Sequence, residues 1–268
     1  MGKKVFISVD IEGINGIVNW DETEPQYARY AEFKEELQRE VNAACRGAIK
    51  AGATEILIKD AHDTARNLNI TDLPECASLL RGWEGGICSM MAGLDKSFDA
   101  VMYVGYHSPS RSDGNSLSHT MNTSRVHHVK INGEIASEFY INSLYASYLG
   151  VPVAFLSGDE NLTKLVQKEN KNITTVASKK GCHAAVVSKN PKVTWKEIED
   201  GAETALKSCT KENIVKLPKE FDIEIEYVKP TIAYSASFFP GCELVGSDTV
   251  KFHSDNWYDV MVMFKFIL

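Results

Sequence analysis

Apolar residues in this chain fall into short unbroken runs separated by stretches with helical spacing, the alternation that builds a parallel sheet covered by helices. Val5, Phe6, Ile7 and Val9 form the first run, with Lys3 and Lys4 before it and Gly13 after, and predict a strand buried on both faces. Tyr30, Phe33, Leu37, Val41, Ala44 and Ala48 then step by three and four, which predicts an amphipathic helix stopped at Gly52. Thr54–Asp60, Asp99–Tyr106 and Pro152–Ser157 read as further strands. Between them, Val126–Ile131 and Glu134–Ile135 flank Asn132-Gly133, a two-residue hairpin turn, and Glu138 opens a helix that runs to about Tyr148 and ends at Gly150. Another helix begins near Asn161, Pro74–Gly93 reads as a short helix with a strand around Ile87–Met90, and Val176–Val187 has no clear period. A helix at Trp195–Lys207, strands at Phe221–Val228 and near Thr249–Phe252, and a closing helix from Asp255 complete the chain. The expected fold is α/β: a mostly parallel sheet in a three-layer α/β/α arrangement over residues 1–185, with a smaller C-terminal α+β portion over residues 186–268.

Composition narrows the function. With 44% hydrophobic content over 268 residues the chain can bury a full core. Twenty-nine basic against 36 acidic residues, without a basic stripe, argue against a nucleic-acid partner. No apolar run approaches the length of a membrane span, and the few apolar residues before Asp10 are too short for a signal-peptide core, so a cytoplasmic location is expected. The six cysteines are scattered with no C-x-x-C, and read as reduced thiols.

The candidate chemistry sits just beyond the strands. Side chains alternate along a strand, so Asp10 and Glu12 face the same way if the extended conformation persists. His62 follows the second strand and His107 the third, which places four metal-capable residues on the rim where a parallel sheet gathers its ligands. Singly each has an ordinary explanation, such as a surface imidazole or a solvated acid. Glu138 alone would be a helix N-terminal acid, and Asp60 either orients His62 or is solvated. His127 and His128 are strand neighbours facing opposite sides and cannot chelate one ion. As a set, two carboxylates and two imidazoles with Glu138 in reach suit Zn²⁺ or a similar divalent ion, whereas calcium would take oxygen alone. With Asp10 bridging, five ligands can hold two ions about 3.5–4 Å apart, the spacing of two-metal hydrolases. The polar stretch from Ser108 to Thr123, which carries Ser118-His119, reads as an exposed functional loop.

Ser8-Val9-Asp10-Ile11-Glu12-Gly13, Asp60-Ala61-His62, Gly105-Tyr106-His107, Ser118-His119-Thr120-Met121 and Ile131-Asn132-Gly133 followed by Glu138 together resemble the M55 family of D-aminopeptidases, the DppA-type zinc enzymes associated with dipeptide-transport operons. The resemblance runs in order from residue 5 to about 160. It implies that Asp10 bridges two zinc ions per chain, that Glu12, His62, His107 and Glu138 complete their shells, and that His119 is the catalytic residue, described in that family as a nucleophile. Histidine chemistry equally allows His119 to act as general base or acid. The resemblance further implies a D-peptide substrate such as D-Ala-D-Ala and a ring-shaped homodecamer. Two rival readings remain: a two-metal phosphoesterase, for which Arg66, Arg111 and Arg125 are the nearest cations, and a metal-containing peptide-binding accessory of a transporter.

Overall fold

Alternating strand and helix bring the chain back repeatedly to one sheet. In the computed structural model, which describes residues 2–268, the elements are β1 (Lys3–Val9), α1 (Tyr30–Lys50), β2 (Ala53–Asp60), β3 (Ala77–Leu80), β4 (Ala100–Tyr106), β5 (Val126–Ile131), β6 (Glu134–Ile135), α2 (Glu138–Leu149), β7 (Val153–Asp159), α3 (Glu160–Glu169), β8 (Thr174–Cys182), β9 (Ala185–Ser188), α4 (Pro191–Ser208), β10 (Phe221–Tyr227), α5 (Pro230–Ala236), β11 (Cys242–Leu244), β12 (Thr249–Ser254) and α6 (Trp257–Ile267).

The main sheet has the order β3-β2-β1-β4-β7-β8-β9, parallel except for the β8–β9 hairpin. Strand order reverses between β1 and β4, because β2 and β3 build outward on one side while β4, β7 and β8 build on the other. That switch point opens a crevice at the strands' carboxyl ends. Residues Val5 to Val9 are fully buried, as a central strand with both faces covered requires. Val5, Ile7 and Val9 join the core formed with Leu37, Val41 and Ala44 of α1 and Ile198 and Ala202 of α4. Phe6 points the other way, into a core shared with Phe139 and Leu144 of α2 and with the second sheet.

The second sheet is antiparallel, in the order β11-β12-β10-β5-β6. Its centre pairs β5 with β10, joining residues on either side of position 185, and α4 from beyond that position lies on the same core as α1. Position 185 itself opens β9, inside a hairpin of the main sheet. The mixed α/β fold with a mostly parallel sheet agrees with expectation. The strand expected at Ile87–Met90 does not form: Ser89–Met91 is a single 3-10 turn, and the strand of that region is β3, twelve residues earlier than Ser89. Gly85 and Gly86 precede the short apolar run, and Gly85 has φ of 81°. A left-handed residue there breaks any extended approach to the run. Helix α4 begins at Pro191, earlier than its apolar spacing indicates, because Asn190 caps the Lys192 N–H and proline is preorganised for the first turn. Among the described residues no helix is long and apolar enough to cross a membrane.

Candidate active site

The crevice at the switch point is where the candidate residues meet. Strand β1 ends at Val9, so Asp10 and Glu12 lie on a turn and the expected alternation does not carry through them. They converge all the same, because the turn is pinned to β4: Asp10 N donates to Val104 O at 2.9 Å and Gly13 N to Gly105 O at 2.8 Å. The approach is so close that a Cβ on Gly13 would lie 1.9 Å from the Tyr106 carbonyl oxygen, and one on Gly105 would lie 2.2 Å from that of Asp10. Gly105 also has φ of 74°, a conformation that favours glycine. Both glycines of the sequence motifs are therefore requirements of the interlocked strand ends.

His62 leaves the end of β2, His107 the end of β4, and Glu138 opens α2 just after Ser137, whose hydroxyl caps the Tyr140 N–H. His62 Nδ1 lies 3.4 Å from Asp10 Oδ1 and 3.2 Å from Glu12 Oε1. His107 Nε2 lies 3.4 Å from Asp10 Oδ2 and 3.7 Å from Glu138 Oε1. His119, from the loop after β4, brings Nε2 to 3.7 Å from Glu138 Oε1 and 4.0 Å from Glu12 Oε1. Its ring stacks on His107 at 4.2 Å and meets the edge of Trp20 at 5.2 Å. The structure thus brings all six sequence candidates together. They form two sets of ligand atoms, Asp10–Glu12–His62 and His107–His119–Glu138, each set within 4.8 Å of itself, and Asp10 reaches both His62 and His107.

Each imidazole has its outer nitrogen fixed by a main-chain carbonyl. His62 Nε2 is 3.0 Å from Thr23 O, His107 Nδ1 is 2.9 Å from Ser108 O, and His119 Nδ1 is 2.9 Å from Leu117 O. A carbonyl only accepts, so each of these nitrogens donates, and the inner nitrogen is the one turned to the site. This is how metal-ligating histidines are oriented. Buried His107 Nε2 and Glu12 Oε2 have no hydrogen-bond partner. Separations of 3.2 to 3.4 Å between His62 or His107 and the carboxylates are long for charge-assisted hydrogen bonds. They match the spacing of about 3.3 Å between neighbouring ligand atoms on a tetrahedral ion with bonds of about 2.0–2.1 Å.

The electrostatics agree. Burial, and then the neighbouring Glu12 charge, raise the Asp10 carboxyl above its ordinary value. At Glu12 burial also acts upward, but His62, with His119 and His107, outweighs it and holds the carboxyl well below the usual range. Burial depresses both His62 and His107, yet Glu12 and Asp10 around the first, and Glu138 and Asp10 around the second, raise them well above ordinary imidazoles. The acids draw positive charge into a buried place, a condition that a divalent cation meets.

Asp60 neither orients His62 nor is solvated. It is fully buried and accepts from the main-chain N–H groups of Asn67 and Leu68, while Asn67 Nδ2 donates to the His62 carbonyl. His127 is exposed and His128 buried, on opposite faces of β5 as the alternation requires, and His183 and His253 are exposed. Three features had no local signal in the sequence. Lys179 is buried and donates through Nζ to the carbonyls of Glu12 and Ile17, holding the acid-bearing loop from beneath. Trp20 packs on His119. A cavity of about 710 Å³ adjoins the site, walled on one side by Trp257, Met261 and Phe264 of α6. A polar centre beside an apolar wall can hold a small ligand with one reacting polar group and one apolar side chain.

Comparison with known proteins gives one answer from three directions. Residues 3–266 match the family model Peptidase_M55, described as D-aminopeptidase. A D-aminopeptidase of Bacillus subtilis (strain 168) is 29% identical over 255 residues, covering 94% of this chain and 92% of its own length. Among solved structures, the Zn-dependent D-aminopeptidase DppA from Bacillus subtilis, described as a self-compartmentalizing protease, superposes with a TM-score of 0.90 at 27% identity, covering 98% of this chain and 96% of the other.

Proposed function

The chain belongs to the M55 D-aminopeptidase family, and on that premise we propose that it is a zinc enzyme cleaving the peptide bond after an N-terminal D-residue, with D-Ala-D-Ala and short D-Ala peptides as substrates. The observation that carries this reading is the convergence of Asp10, Glu12, His62, His107 and Glu138 with buried lone pairs left unpartnered. Asp10, Glu12, His62, His107 and Glu138 would hold the zinc, with Asp10 within reach of both imidazoles. Bound there, zinc supplies Lewis acidity for the scissile carbonyl and positive charge for the developing oxyanion.

The chain's own residues do the rest. His119 Nδ1–H is tied to Leu117 O, so its Nε2 presents a lone pair to the cavity beside both carboxylate-bearing segments. In this role His119 takes a proton as water attacks and returns it to the leaving amine. Stacking on His107 and the edge of Trp20 holds the ring in place for that transfer. Direct attack by His119 would instead give a burst of leaving amine and transfer of the acyl group to an added amine such as hydroxylamine, and absence of both supports proton transfer. The apolar wall of α6 receives the side chain of the first residue. By analogy with its self-compartmentalizing structural relative, the protein assembles with copies of itself, and we take a homodecamer as the state that light scattering should find.

The deciding experiment is metal content on freshly purified protein, paired with D-Ala-D-Ala hydrolysis before and after chelation and zinc restoration. Near two zinc per chain with chelator-sensitive turnover is the expected result. A metal-loaded protein that leaves D-Ala-D-Ala intact would overturn the proposal.

A further inference from the structure

Asn142 lies one helical turn beyond Glu138 on α2, lines the same cavity and is nearly buried. Its Nδ2 donates to Tyr106 Oη at 3.1 Å and approaches Met90 Sδ at 3.3 Å. Tyr106 Oη is 2.7 Å from Ser8 Oγ, and Ser8 Oγ is 2.9 Å from the Met90 carbonyl oxygen. The direction of every proton in this chain follows from its last member. A carbonyl only accepts, so Ser8 donates to Met90 O and has no second proton to offer. Ser8 must then accept from Tyr106, whose oxygen is left as the acceptor for Asn142. The amide nitrogen is thereby fixed on the side of Tyr106 and Met90. The amide oxygen accepts no hydrogen bond among the described residues, and it is not one of the side-chain atoms sealed from solvent without a partner. What remains open to it is the cavity.

A neutral acceptor held in one orientation, a turn away from Glu138 and in a cavity that apolar residues of α6 also line, is suited to a donor on the substrate. The free amino terminus is the group every aminopeptidase must recognise. In the reading proposed above, Asp10, Glu12 and Glu138 hold the zinc and are not free to receive that group. Resting on the aminopeptidase reading above, we propose that Asn142 Oδ1 accepts a hydrogen bond from the α-ammonium group of the substrate's first residue, and that Ser8 and Tyr106 are positioning residues that keep the amide oxygen facing it. With the carbonyl fixed at the acids and imidazoles and the side chain on α6, the ammonium is a third point of attachment, the minimum for telling one enantiomer from the other.

The test compares two inhibitors that differ only in the amino group, D-alanine hydroxamate and propionohydroxamate, on the zinc-loaded protein. The wild type should bind the amino compound more tightly. In Asn142→Ala and Asn142→Leu that preference should shrink about 10- to 100-fold, the range for a lost hydrogen bond to a charged group, with propionohydroxamate affinity held within about twofold. Tyr106→Phe, which frees the amide to turn, should shrink the preference by less. Zinc content and thermal unfolding identify any variant that has merely failed to fold, and the three variants provide independent chances to read the ratio. An unchanged preference in folded, zinc-loaded variants would overturn the assignment. So would equal weakening of both inhibitors, or no preference in the wild type. Turnover of D-Ala-D-Ala by the wild type separately scores the aminopeptidase reading, so failure of one is distinguishable from failure of the other.

Discussion

Asp10, Glu12, His62 and His107 were legible in the sequence because acids and imidazoles directly after apolar runs can be placed on the rim of a sheet before any contact is known, whereas Glu138 was read from its place at a helix start and His119 from the family resemblance. His119 is also where the roles of ligand and proton carrier divide. Replacing it with alanine should lower kcat by about two to four decades while zinc content holds, as expected for a lost general acid or base. Metal analysis beside steady-state kinetics checks this, and loss of zinc would make His119 a ligand. Asn142 and Lys179 were not legible. Each looks ordinary in its own segment, and each acquires its role only from partners more than 35 residues away. Glu40 is a further hidden group, buried with Oε1 accepting the Asn15 N–H, and burial pushes its carboxyl up to about 8. The unfolded chain releases this proton near the ordinary value of 4.5, the folded protein only near 8. The stability linked to Glu40 is therefore fully present below the lower value and is lost as pH rises through the higher one. Glu40→Gln keeps an acceptor for Asn15 and cannot ionise. Denaturant unfolding should show the variant gaining on the wild type by about 1–3 kcal/mol between pH 5 and pH 8. Parallel pH profiles would sink the idea.

At the scale of elements, the period of apolar positions located β1, α1, β2, β4, α2, β7 and α6 to within a few residues. It failed where tertiary pairing decides conformation. The β8–β9 hairpin lies at a sheet edge with mixed exposure and so carries neither a strand nor a helix period, and β11 is three residues long. The ends of β1 and β4 show what a motif glycine is for. Gly105→Ala would push a methyl group against the Asp10 carbonyl and strain a left-handed backbone at the same residue. We expect this variant to lose about 2–4 kcal/mol of stability and much of its zinc. In contrast, alanine at Gly52, where a Cβ meets nothing within 4 Å, should keep its metal despite a positive φ. Zinc content of the two purified variants separates the effects, and equal retention would mean that the strand ends tolerate displacement.

For the whole molecule, the site draws on the ends of β1, β2 and β4, the loop carrying His119, and the start of α2. A cation there would tie five segments at once, so chelation should lower the thermal midpoint by several degrees and added zinc should restore it. An unshifted midpoint would mean that the segments hold the site open without help. The division expected at residue 185 came from reading the helices and strands beyond it as a smaller α+β portion, and the order of elements alone does not reveal that β10 returns to pair with β5. One feature of the imidazoles bears on inheritance as well as on chemistry. Their outer nitrogens are held by the backbone oxygens of Thr23, Ser108 and Leu117. A point mutation at these three positions changes the side chain and leaves the oxygen in place. The contact that orients each histidine therefore does not depend on which side chain its partner carries, and a substitution there reaches the centre only through packing, since all three partners are buried.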